Sequence, residues 1–162
     1  MSVLRRAFGA DVERVIGPAW LGYADTLNFR AVEGHRVRQL DNSDDGALRA
    51  LMAACNAEEW EHSGIEIDHR PLFGLFVADT LVAAGTCRPR GGSLLDVGIV
   101  THPAYRGWGY GRVVVGTMTA YGLARGHVMQ YRTLQANTAS MGIAHSLGYE
   151  GYATTLAVRL TA

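Results

Sequence analysis

The sequence predicts an α/β chain built on one mixed sheet with helices on both faces, and three observations carry that expectation. Short apolar runs bounded by turn residues recur at 72–78, 81–88, 94–101, 128–135 and 154–160. Two of them, 94–101 and 128–135, are separated by a helical stretch, the arrangement of a right-handed strand-helix-strand crossover. The run Leu94–Thr101 is almost continuously apolar, as a strand in the middle of a sheet should be.

Taken in order, residues 1–35 have no clean period. Gly17-Pro18 ahead of Ala19-Trp20-Leu21-Gly22-Tyr23 reads as a turn with packing aromatics. An N-terminal appendage is therefore expected over 1–35 and the folded domain over 36–162. A first strand is expected from His35 to Leu40. Asp41-Asn42-Ser43-Asp44-Asp45 then supplies caps and first-turn acids for a helix running to about Asn56, with Leu48, Leu51, Met52 and Cys55 on one face. Glu58-Glu59-Trp60-Glu61-His62 predicts a short second helix closed by Gly64. Asp79-Thr80 splits the next two apolar runs into a tight hairpin. His102-Pro103 ends the central strand, and Val114, Met118 and Tyr121 mark the crossover helix, which Gly126 stops. A last helix is expected over 138–147, started by Asn137 and stopped by Gly148.

Composition removes several function classes. The chain has 162 residues, 48% of them hydrophobic, enough for one core that buries roughly 70% of the unfolded surface. Fifteen basic and fifteen acidic residues cancel, against general nucleic-acid binding. All the basic residues except histidine are arginines, so a lysine Schiff base and a P-loop lysine are excluded. Cys55 and Cys87 stand alone and offer no metal or redox motif; no metal is expected. No run approaches the roughly 20 apolar residues of a membrane span, so a cytoplasmic protein is expected. From Val97 through Tyr149 there is no Asp or Glu, while Arg106, Arg112, Arg125 and Arg132 are present; a polyanionic ligand would be drawn there.

The turn Arg106-Gly107-Trp108-Gly109-Tyr110-Gly111 lies in that stretch, between the central strand and the crossover helix. Alternating glycines let the backbone approach an anion, and the helix N-terminus adds roughly half a positive charge. A plain strand-to-helix turn is the other reading. The dinucleotide fingerprint is not met, because Arg112 stands where its third glycine should fall.

Arg106, Gly109 and Gly111 fill the pattern Arg/Gln, two residues, Gly, one residue, Gly/Ala that marks the GNAT acetyltransferase superfamily, and the chain resembles that superfamily over about 36–160. Asn137 with Ser140, and Leu147-Gly148-Tyr149, are similar to its second signature. The resemblance implies a mostly antiparallel sheet of about six or seven strands, splayed between its two central strands. It implies acetyl-CoA as co-substrate and an amine as acceptor. Backbone amides of Gly107, Trp108, Gly109, Tyr110, Gly111 and Arg112, with the Arg106 side chain, would hold the pyrophosphate. Backbone groups of Ile99, Val100 and Thr101 would pair with the pantetheine arm. Asn137 would touch that arm or simply cap its helix. The appendage would belong to a larger N-terminal domain or cover a partner, a second copy of the chain included.

A free amine with pKa near 10.4 is neutral in about one molecule in 2,500 at pH 7, so a base is expected. Asp96 is the candidate, being the single carboxylate between Thr80 and Glu150 and lying on the central strand; partner of a nearby arginine is its other reading. The family's usual tyrosine acid falls on Ala144 and is missing. Glu58, Glu59 and Glu61 with His62 form either a solvated face or a wall that attracts a cationic acceptor. Two functions remain open, an N-acetyltransferase and a non-catalytic acyl-CoA-binding module.

Overall fold

In the computed structural model, which describes residues 12–33 and 36–160, the strands form one sheet of seven. In chain order these are β1 (Val12–Ala24), β2 (Val37–Leu40), β3 (Leu72–Val77), β4 (Thr80–Pro89), β5 (Leu94–Thr101), β6 (Val128–Leu134) and β7 (Glu150–Leu160). The helices are α1 (Asp45–Ala54), α2 (Ala57–Ser63), α3 (Tyr110–Leu123) and α4 (Thr138–Ser146). Across the sheet the order is β2-β3-β4-β5-β6-β1-β7. Every neighbouring pair is antiparallel except β5 and β6, which run parallel because α3 carries the chain back between them. Among the described residues no helix is long and apolar enough to cross a membrane.

Local chemistry places the helices. Asp41 and Asp44 form a capping box around a short 3-10 turn that leads into α1. Asn56 and Glu59 form a second box that opens α2, and Gly64 closes it at φ 63°. The helix expected to reach Asn56 is thus cut at Ala54, because Asn56 begins the next one. One apolar cluster fills the α3/α4 side of the sheet around Val114, Met118, Met129 and Tyr131. A second fills the α1/α2 side around Leu48, Leu51, Leu72 and Val100.

The N-terminal segment differs from its sequence reading. Rather than a turn standing outside the domain, Val12–Ala24 is a strand inside the sheet, hydrogen-bonded to β6 on one side and β7 on the other. Gly17-Pro18 argues against an inner strand, since proline cannot donate to a ladder. Here the pair sits in a register shift between Ile16 and Ala19, and Gly17 takes φ 123°, so the irregularity absorbs both residues. His35, expected to open the first strand, lies outside the described residues; β7 starts at Glu150, earlier than expected.

Candidate functional site

Parallel pairing of β5 with β6 runs from Leu94 opposite Val128 to Val97 opposite Tyr131 and stops there. Beyond it Gly98–Thr101 and Arg132–Leu134 diverge, although Ile99, Val100 and Thr101 remain paired with β4 on their other edge. The expected splay is present, and a cleft of about 840 Å³ opens at it.

The glycine turn forms one end of this cleft. Gly107 and Gly109 take φ 83° and 82°, conformations that suit glycine, and nothing stands within 4 Å of where a side chain would start. Gly109 is the N-cap of α3, whose first internal bond is Val113 N–H to the Gly109 carbonyl at 3.2 Å. The preceding amides of that turn have no carbonyl four residues back within the helix. Arg106 spans the cleft, its Nη1 2.9 Å from Glu59 Oε1 and its Nε donating to the Thr101 carbonyl at 3.2 Å. That bond holds the Glu59 carboxyl below the usual carboxylate range, which makes Glu59 a poor proton acceptor near neutrality. Arg112 is exposed and makes no ion pair among the described residues.

Of the predicted binding residues, Ile99, Val100, Thr101, Arg106, Gly107, Gly109, Tyr110, Gly111, Arg112 and Asn137 all line the cleft. Trp108 does not; it is 73% exposed. Asn137 caps α4, its side chain accepting from Ser140 N–H at 3.1 Å, while also lining the cleft. The two readings of Asn137 are therefore compatible.

Asp96 is placed differently from the role expected of it. It is buried, it is not part of the cleft lining, and its carboxylate is occupied. Arg90 donates to Oδ2 through Nε at 3.1 Å and Nη2 at 2.8 Å, and Gln130 Nε2 donates to Oδ1 at 3.1 Å. Arg132 and Arg88 stand 3.5 and 3.7 Å from Oδ2. With donors on both oxygens and no place in the cleft lining, the carboxylate is turned away from where a substrate would sit. The arginine-partner reading of Asp96 is the one the geometry supports.

Two neighbours stand at the apex of the splay, Tyr131, to which the sequence assigns no role, and Arg132, which the sequence offers only as one of four arginines in an acid-free stretch. Tyr131 is the last residue of β6 paired with β5, lines the cleft, and has its hydroxyl 2.9 Å from Ser140 Oγ on α4. Burial pushes its phenol up to about 12, so it keeps its proton at neutral pH. Arg132 follows on the opposite face of the sheet and also lines the cleft. Strand alternation gives the opposite faces, but only the register with Val97 tells which residue stands at the apex. His62 and Ser63 at the end of α2 complete that wall.

The FR47-like protein family model matches residues 72–158. Among solved structures, a GNAT-family protein of Novosphingobium aromaticivorans superposes with TM-score 0.72 at 23% identity, covering 91% of this chain and 65% of that one. A GNAT-family acetyltransferase of Colwellia psychrerythraea superposes with TM-score 0.73 at 18% identity, covering 93% and 59%. The chain thus spans less than two thirds of either length. A Salmonella typhimurium protein solved with its cofactor acetyl-CoA superposes with TM-score 0.57 at 19% identity, covering 72% and 79%. No curated protein matches by sequence.

Proposed function

Because the chain belongs to the FR47-like family within the GNAT superfamily, we propose that it transfers an acetyl group from acetyl-CoA to a primary amine by direct attack in a ternary complex. The observation that carries this reading is the continuity of the splayed β5/β6 edge with the glycine turn in a single cleft. The unpaired edge of Ile99–Thr101 suits an extended amide-bearing arm, and the open backbone at Gly107 and Gly109 suits a pyrophosphate.

When bound, acetyl-CoA supplies an activated thioester. In the transfer a C–N bond forms and the C–S bond breaks; the amine gives up one proton and the sulfur takes one. Tyr131 Oη donates to the departing sulfur in this reading, and Ser140 Oγ orients the phenol. This replaces the acid missing at Ala144. For the amine proton, Glu59 and Asp96 are held by arginines and Glu58 and Glu61 lie outside the cleft lining, which leaves His62 or water at the α2 wall.

Among the described residues no free carboxylate lines the apex, which favours one second reading, a non-catalytic acyl-CoA-binding module. Incubation with acetyl-CoA and a panel of amines, followed by thiol release, separates the two. Release with at least one amine is expected. Stabilisation by acetyl-CoA with no release from any amine would leave the binding module, and equal stabilisation by acetyl-CoA, NAD and ATP would sink both.

A further inference from the structure

Three guanidinium groups converge on one carboxylate beside the cleft. Arg88, Arg90 and Arg132 come from β4, the turn after it and β6, and all three ion pairs of this group go to Asp96 Oδ2. Among the described residues none of the three pairs with any other acid. One negative charge therefore faces three positive ones, and the surplus sits on side chains that are 37% to 44% exposed. The Arg88 Nε–H is buried without a partner. The surplus charge, open to solvent, is available to a second anion beside Asp96.

Its position says which anion. A Cβ added at Gly111 would stand 2.9 Å from Thr101 Oγ1 and 3.7 Å from Ile99 Cγ1, so the glycine turn lies on the face of β5 that carries Ile99 and Thr101. Asp96 and Gly98 alternate to the other face, where a Cβ on Gly98 would collide with the Ser63 carbonyl at the end of α2. Arg132 opens on that second face, at the first position beyond the splay. A phosphate held at the turn and an anion held at Arg132 are thus on opposite sides of the sheet.

We infer that the acceptor carries an oxyanion, a carboxylate or phosphate, beside its amine, and that Arg132, backed by Arg88 and Arg90, binds it. The inference rests on the acyl-transfer reading and names its substrate class. A guanidinium pairs with two oxygens of such a group at once. The same positive charge disfavours the protonated form of the incoming amine, easing the loss of its proton where no carboxylate is free to take it.

The test compares glycine, β-alanine and phosphoethanolamine with ethylamine and glycinamide as acceptors. Anionic acceptors should show kcat/KM about tenfold or more above the neutral ones, since a hydrogen bond to a charged group contributes on that scale. Arg132→Gln should erase the preference by raising the acceptor KM, with the acetyl-CoA melting shift unchanged. Equal kcat/KM for neutral and anionic amines in the wild-type protein would overturn the inference while leaving acyl transfer standing. If Arg132→Gln does not fold, product binding to the wild-type protein with CoA decides instead. N-acetylglycine should raise the melting temperature more than its methylamide does, and equal shifts would overturn the subsite. That readout needs no turnover, so it also decides the subsite where no amine releases thiol and the acyl-transfer reading falls.

Discussion

Tyr131 and Asp96 are one residue pair apart in the β5/β6 ladder, yet their surroundings set opposite roles. The Tyr131 phenol has one hydroxyl partner and a cleft in front of it; the Asp96 carboxylate has arginines and an amide around it. Tyr131→Phe is expected to lower kcat by about tenfold or more, within the range of lost general acid catalysis, with KM for acetyl-CoA unchanged. Steady-state kinetics with a melting-temperature control check this, and an unchanged kcat would remove Tyr131 from the mechanism. Asp96→Asn is expected to act on stability instead. It strands three guanidiniums that are partly exposed, so the loss should be about 1–3 kcal/mol, below that of a fully buried pair. Urea denaturation measures it. The sequence identified Asp96 as the one carboxylate of its stretch, but its four partners, Arg88, Arg90, Gln130 and Arg132, all lie on other strands or turns and only register brings them together.

At the level of elements, the caps and the glycine turn were legible because their signals are local. Gly64, Asn137 and Gly109 each act within about four residues of themselves, whereas Asn56, expected near the end of one helix, caps the next. The start of α1 adds a tertiary contact, since Arg38 on β2 donates to both Asp44 oxygens at 2.7 Å. This holds the Asp44 carboxyl below its ordinary value. A depressed folded pKa gives stability that is present above the unfolded value near 3.9 and is lost as pH falls through the folded one. Asp44→Ala should therefore narrow the stability difference between pH 5 and pH 2 by about 1 kcal/mol, a modest figure because Arg38 is half exposed. An identical acid limb in variant and parent would refute it. In the turn, Gly109→Val forces a branched side chain to φ 82° and fills the open space over the amides. Acetyl-CoA should then no longer raise the melting temperature, while the unliganded protein still unfolds in one transition.

Over the whole molecule, the part of the fold that the sequence did not disclose is its longest-range pairing. β1 and β7 sit at opposite ends of the chain, with Val12 opposite Leu160 and Tyr23 opposite Glu150. No periodicity within either segment reports such a partner, and Gly17-Pro18 breaks the alternation that would have marked β1 as a strand. The segment is nonetheless central to the sheet, since it bonds β6 on its other side from Ala19 opposite Leu134 to Ala24 opposite Met129. It also shapes the cleft, to which it gives Ile16 and Ala19. A chain beginning at residue 25 would leave β7 with no strand beside it and the far edge of β6 unpaired. The resulting loss of backbone bonds and of burial around Trp20 and Ala24 would be comparable with the total stability of about 5–15 kcal/mol typical of a domain. Such a chain is expected to lose its cooperative thermal transition and its acetyl-CoA response. A synthetic peptide of residues 12–24 added in trans should restore both in part, because the gap it enters offers two antiparallel edges of fixed register. Retention of the parent melting temperature by the shortened chain would mean that β1 is an accessory strand, contrary to the pairing on both its sides.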